Sequence, residues 1–129
     1  IEEYVEEGFI LPVNGRFSSL FGERRSTGLH NGGDIAAPVG TSVVSIGNGV
    51  VQSRYYNSAG GNQLIILHDN GFKSGYAHLQ DMFVSKGDRV AQNQVIGTVG
   101  MTGRTTGPHL HLTLRDPSGT KQDPLNYLT

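Results

Sequence analysis

From Phe9 onward the apolar residues come in runs too short and too closely punctuated to build a helix. Val43-Val44-Ser45-Ile46, Gly49-Val50-Val51, Leu64-Ile65-Ile66-Leu67 and Val95-Ile96-Gly97-Thr98-Val99 are separated by stretches that carry Gly, Asn, Asp and Pro. The pattern predicts strands and turns. Glycine at 19 of 129 positions and a charged fraction of 16% argue against long amphipathic helices, since ~25% charged is usual. Asp69-Asn70-Gly71 between two such runs is the strongest hairpin signal, so its flanking strands should pair antiparallel. The expected fold class is all-β, built of antiparallel sheet.

A chain of 129 residues suffices for one domain and is short for two. Residues 9–129 are therefore read as a single domain. Residues 1–8 are read as a linker or helix end continuing from a missing upstream region, because the chain starts at Ile1 rather than Met. No apolar run approaches the ~18 residues that span a bilayer, so no membrane insertion is expected of this chain. Cysteine is absent, which eliminates disulfide frameworks, Cys-rich zinc sites and Cys nucleophiles together. Four of the eleven acidic residues (Glu2, Glu3, Glu6, Glu7) lie in the first seven positions, leaving residues 8–129 mildly basic at +3. That is far from the basic stripe of a nucleic-acid binder, so no nucleic-acid partner is expected, while a polyanionic polymer is tolerated.

Gly40-Thr41-Ser42-Val43 echoes Gly87-Asp88-Arg89-Val90, as a duplicated hairpin unit would. At the other end, Asp123-Pro124 pairs an N-cap residue with proline at the first helical position, predicting one helical turn over 125–128 that packs on the sheet.

Chemistry concentrates in five histidines. His109-Leu110-His111-Leu112-Thr113-Leu114-Arg115 alternates strictly, so in a strand the leucines face the core and His109 and His111 stand side by side on the other face. At Cα spacings of roughly 6–7 Å, one imidazole can bind a metal while the other reaches a substrate or water beside it. His30-Asn31-Gly32-Gly33-Asp34 offers an imidazole and a carboxylate four residues apart, and its paired glycines favour an extended or looped segment over a helix. It reads either as a ligand pair or as a turn with a polar rim. Two His and one Asp with a fourth position left open make a catalytic zinc site, whose ion lowers the pKa of water and polarises an amide carbonyl. A general base must then come from the remaining histidines, since Glu23 is the only glutamate beyond residue 7. His78, in Gly75-Tyr76-Ala77-His78-Leu79, should share the face of Tyr76 if that strand alternates. His68, just before the turn, reads as a polar strand-end residue. The glycine- and threonine-rich stretch Gly100–Pro108, which contains Thr106, lacks a Gly-Lys-Ser/Thr ending and reads as a flexible wall beside the histidine pair.

Taken in order, His-x-x-x-Asp, Tyr-x-His-Leu and a loop ending Thr-Gly-Pro-His-Leu-His resemble the lysostaphin-type (LytM-like) zinc metallopeptidases over about Phe17 to Tyr127. The resemblance implies a duplicated hybrid motif of barrel-sandwich type, with antiparallel sheets around a narrow groove. It implies one zinc ion on His30, Asp34 and His111, His78 and His109 as the catalytic pair, and cleavage of peptide cross-links in bacterial peptidoglycan. In that mechanism His109 takes a proton from water held at the ion, and His78 stabilises the oxyanion or protonates the leaving amine. Phe21-Gly22-Glu23-Arg24-Arg25 looks like the Gram-negative and phage branch, which implies a D-Ala to diaminopimelate bond. It also implies a periplasmic or extracellular location, or a phage particle or lysin. Arg24 or Arg25 could fork onto a stem-peptide carboxylate, with Tyr76 and Thr106 as further substrate contacts. An upstream regulatory or inhibitory segment that occludes the groove is a further expected partner, and the alternatives are an N-acetylmuramoyl-L-alanine amidase on the same site, a non-catalytic wall-binding or activating module, and a lipoyl-type carrier suggested by Lys86-Gly87-Asp88-Arg89-Val90. The carrier lacks a suitably flanked acceptor lysine.

Overall fold

The computed structural model describes residues 9–19, 24–25, 28–29, 33–103, 107–124 and 127–128, with the backbone alone at 16–19, 24–25 and 28–29. Among the described residues twelve strands follow one another: β1 (Arg16–Ser19), β2 (Arg24–Arg25), β3 (Gly28–Leu29), β4 (Gly33–Ala36), β5 (Ser42–Val44), β6 (Gly49–Asn57), β7 (Gly61–His68), β8 (Lys73–Met82), β9 (Arg89–Val90), β10 (Val95–Val99), β11 (His109–Arg115) and β12 (Lys121–Gln122). The main sheet runs β1-β4-β11-β8-β7-β6-β9, with β10 joining β8 to β5 and β12 on β11; β2 and β3 form a separate pair. Every strand pairing is antiparallel, as the punctuated runs predicted.

The β7–β8 hairpin forms where Asn70-Gly71 predicted it. His68 N–H donates to Phe72 O at 2.8 Å and Gly71 N–H to His68 O at 2.9 Å, which makes a three-residue loop closed by Gly71 at φ 93°. The internal echo is structural too. Pro38–Thr41 and Ser85–Asp88 are equivalent turns closed by Thr41 N–H to Pro38 O (3.1 Å) and Asp88 N–H to Ser85 O (3.0 Å). Each then docks on a valine in the same way. Gly40 N–H donates to Val99 O and Val99 N–H to Thr41 O, while Gly87 N–H donates to Val51 O and Val51 N–H to Asp88 O.

The core lies under the central strands. Leu110, Leu112 and Leu114 are fully buried with Ile35, Val43, Ile46, Val51, Leu64, Ile66, Leu79, Ile96 and Val99. Each leucine so buried contributes roughly 1.5–3 kcal/mol. Their alternation in β11 leaves His109, His111 and Thr113 partly exposed on the opposite face, as the sequence predicted. At the C-terminus, Tyr127 and Leu128 N–H both donate to Pro124 O (3.0 and 3.1 Å), while residues 125–126 of the expected helical turn lie outside the described residues. The Tyr127 ring packs 5.2 Å from that of Phe72, closing the edge of the core.

His68 is the polar strand-end residue of β7 that the sequence predicted, and it is buried. It is 2% exposed, and its Nδ1 donates to Asn48 O at 3.1 Å. Burial holds its pKa below the ordinary 6.5, so the ring is neutral and Nε2 accepts from the Ser74 hydroxyl at 2.7 Å. Ser74 and Tyr76 share a hydroxyl hydrogen bond at 2.8 Å, and Tyr76 Oη accepts Ile46 N–H at 3.2 Å. Tyr76, 1% exposed, is thus a core residue tied into a buried polar chain. The expectation that it contacts substrate fails, because its hydroxyl is committed inside the sheet.

Candidate active site

β4 and β11 pair in register through Ile35↔Leu110 and Asp34↔His111, so the carboxylate and the imidazole emerge beside each other on the face opposite the core. Asp34 is 7% exposed. Its Oδ1 lies 2.7 Å from His111 Nδ1 and 3.8 Å from His109 Nε2. A buried carboxylate must be paired, and here imidazoles supply the pairing. His109 donates its Nδ1–H to Gly107 O at 2.9 Å, which turns Nε2 toward Asp34.

The third imidazole arrives from β8. Its alternation is broken: between the pairs Asn62↔Leu79 and Leu64↔Tyr76, Ala77 and His78 of β8 stand against Gln63 alone on β7, and His78 sits in this bulge at φ 65°. Tyr76 and Leu79, three apart, both enter the core, while the ring of His78 lies 4.8 Å from that of His109 and 6.2 Å from that of His111. His78 therefore does not share the face of Tyr76. The bulge re-aims it, and without that kink the imidazole would point among the buried side chains. Its Nδ1 donates to Thr102 O at 2.7 Å, and its burial holds the pKa below 6.5.

Of the residues singled out from sequence, Asp34, His78, His109 and His111 are brought together. His30 and Thr106 lie outside the described residues, as do any contacts of the Arg24 and Arg25 side chains on β2. Among the described residues no three His, Asp or Glu gather into a metal-holding group, the described donors being those of Asp34 and His111. Their chemistry fits a zinc-type ion. An imidazole nitrogen and a carboxylate oxygen 2.7 Å apart are the donor types such an ion takes, and Asp34 and His111 would hold it in exchange for the proton they share.

Sequence reasoning missed Thr102 and the carbonyl of Gly60, which accepts the N–H of His78 at 2.7 Å. It also took the whole of Gly100–Pro108 as a flexible wall, whereas Thr102 is pinned by hydrogen bonds to Asn62, His78 and Leu79. The available signal was Gly60-Gly61 and Gly103, glycines that mark a close approach of two backbones.

Comparison with known proteins agrees with this geometry. The family model described as Peptidase family M23 matches residues 28–124. The peptidoglycan DD-endopeptidase ShyC of Vibrio cholerae is 49% identical over 102 residues, covering 74% of this chain and 24% of that protein. The glycyl-glycine endopeptidase ALE-1 of Staphylococcus capitis is 39% identical over 106 residues, covering 78% of this chain and 29% of its own length. The crystal structure of a zinc-containing peptidase from Vibrio cholerae superposes with a TM-score of 0.85 at 34% identity, over 92% of this chain and 39% of that one. The chain spans about a quarter of the length of ShyC and of its Vibrio cholerae counterpart, the peptidoglycan DD-endopeptidase ShyA. Membership in a metallopeptidase family implies a metal, generally zinc. With the family match running from β3 through the strand that carries His109 and His111, the chain belongs to peptidase family M23.

Proposed function

We propose that residues 9–129 form the hydrolytic domain of a zinc-dependent endopeptidase that cuts the peptide cross-links of bacterial peptidoglycan, with D-Ala to diaminopimelate as the scissile bond. The observation that carries this reading is the convergence of Asp34, His78, His109 and His111 on one sheet face. His30, Asp34 and His111 would hold one zinc ion. When bound, such an ion supplies a Lewis acid for the carbonyl and a lowered pKa for water.

The chain's own residues do the proton work. With Nδ1–H given to Gly107 O, His109 offers Nε2 as the base for the attacking water. His78 has its Nδ1–H committed to Thr102 O, so Nε2 is the atom that exchanges protons with the substrate. The neutral ring takes up a proton from solvent at Nε2 and gives it to the leaving amine as the C–N bond breaks, while the proton that His109 took from the attacking water returns to solvent. The higher identity to a DD-endopeptidase than to a glycyl-glycine endopeptidase favours the diaminopimelate-type cross-link. Arg24 or Arg25 would meet a stem-peptide carboxylate, Thr106 would line the groove, and the enzyme would act at the wall, in the periplasm or outside the cell.

Mass spectrometry of defined diaminopimelate-type cross-linked muropeptides, incubated with and without a zinc chelator, tests the reading. Chelator-sensitive conversion of dimers to monomers is expected. Intact dimers, or release of stem peptides from glycan instead, would overturn it in favour of a silent module or an amidase.

A further inference from the structure

His78 is a non-glycine residue held at φ 65°, in the left-handed region, within a ten-residue strand. That conformation is unfavourable for any residue with a Cβ and persists only where its surroundings over-determine it. One residue does most of the determining. Thr102 accepts the His78 Nδ1–H through its carbonyl at 2.7 Å, donates its hydroxyl to Leu79 O at 2.7 Å, and accepts Asn62 N–H on that same hydroxyl at 3.1 Å. It thereby grips the histidine ring, the next residue of β8, and the opposing residue of β7 on the other side of the bulge.

Two glycines make the grip possible. A Cβ on Gly61 (φ 67°) would collide with Thr102, and a Cβ on Gly103 (φ 80°) would collide with the backbone of Gly60 and Gly61. The hairpin tip between β6 and β7 and the segment before β11 thus meet backbone to backbone, with Thr102 between them.

We propose that Thr102 is a positioning residue for the hydrolysis, fixing both the tautomer of His78 and the direction in which its Nε2 points. A carbonyl oxygen can only accept, so Nδ1 of the neutral ring carries the hydrogen and Nε2 presents a bare lone pair to the site. The hydroxyl keeps the bulge from slipping into regular alternation, which would return the imidazole to the core face. The proposal rests on the hydrolytic role given to His78 above.

The test pairs Thr102→Val, which keeps the shape and loses the hydroxyl, with Thr102→Ser, which keeps the hydroxyl. Thr102→Val should lower kcat by roughly 10–100-fold on cross-linked muropeptides, leaving KM and bound zinc near wild type. Thr102→Ser should restore kcat to within a few-fold. In 15N-labelled wild-type protein above the ordinary imidazole range, long-range 1H–15N correlations should show His78 protonated at Nδ1, and Thr102→Val should show the two tautomers mixed. An Nε2-protonated His78 in the wild type, wild-type kcat in Thr102→Val, or a parallel loss of zinc that serine does not rescue would each overturn it. The wild-type tautomer decides the matter even if Thr102→Val fails to fold. Absence of hydrolysis by the wild-type chain would count against the proposed reaction, while the tautomer of His78 would still support or overturn the positioning role.

Discussion

Asp34 and His111 are 77 residues apart in the chain and occupy directly opposed positions on β4 and β11, with Oδ1 and Nδ1 2.7 Å apart. His109, two residues earlier on the same face, reaches only 3.8 Å from the same carboxylate oxygen through Nε2, its Nδ1 being held by Gly107 O. The two imidazoles of β11 thus present different nitrogens to one carboxylate.

That asymmetry gives the first expectation. His111→Ala should lose bound zinc and activity together, whereas His109→Ala should keep zinc and lose turnover by at least the ~10²–10⁴-fold typical of a general base. Metal content by mass spectrometry beside muropeptide turnover separates the two. Equal zinc loss in both would sink the assignment.

Backbone strain at His78 gives the second. Both His78→Ala and His78→Gly should abolish turnover, but glycine at φ 65° escapes the clash that alanine keeps. His78→Gly should therefore be the more stable of the two by about 1 kcal/mol in urea unfolding. Equal stability would mean that the bulge relaxes once the imidazole is gone.

A third concerns the glycines under Thr102. Gly61→Ala and Gly103→Ala each add a methyl group where backbone already stands, whereas Gly87→Ala, at φ 93°, meets open space and suffers strain alone. The first two should be destabilised by more than the ~1 kcal/mol expected of the third, and should also lose turnover. Thermal midpoints and kcat measured side by side would show whether the two losses travel together.

Acid sensitivity supplies the fourth. His68 is buried with its pKa depressed by desolvation, so below its ordinary value of 6.5 the unfolded chain binds a proton that the folded chain refuses. Stability from this group is complete above pH 6.5 and declines as pH falls from there toward the folded pKa, with His78 adding in the same direction. Urea midpoints across that window should fall with pH in the wild type and fall less steeply in His68→Asn. An unchanged slope would show that His68 charges without cost.

Much of this was written locally. The alternation from His109 to Arg115 assigned leucines to the core and histidines to the opposite face, and the Asn70-Gly71 turn joined β7 to β8, because both follow from residues adjacent in the chain. The echo of Gly40-Thr41 in Gly87-Asp88 marked two equivalent turns for the same reason. The motifs picked out Asp34, His78, His109 and His111, which the fold brings together, though not where each would stand.

What the sequence by itself determined, then, is the strand class, the hairpin and the face of β11 on which His109 and His111 stand. Only the tertiary structure decided that Asp34 meets His111, that His78 leaves the face of Tyr76, and that Thr102 holds it there. Strand register and bulges arise from hydrogen bonds between segments tens of residues apart, and a shift of one residue moves every side chain to the other face. Alternation read along one strand cannot foresee where its partner will add or skip a residue.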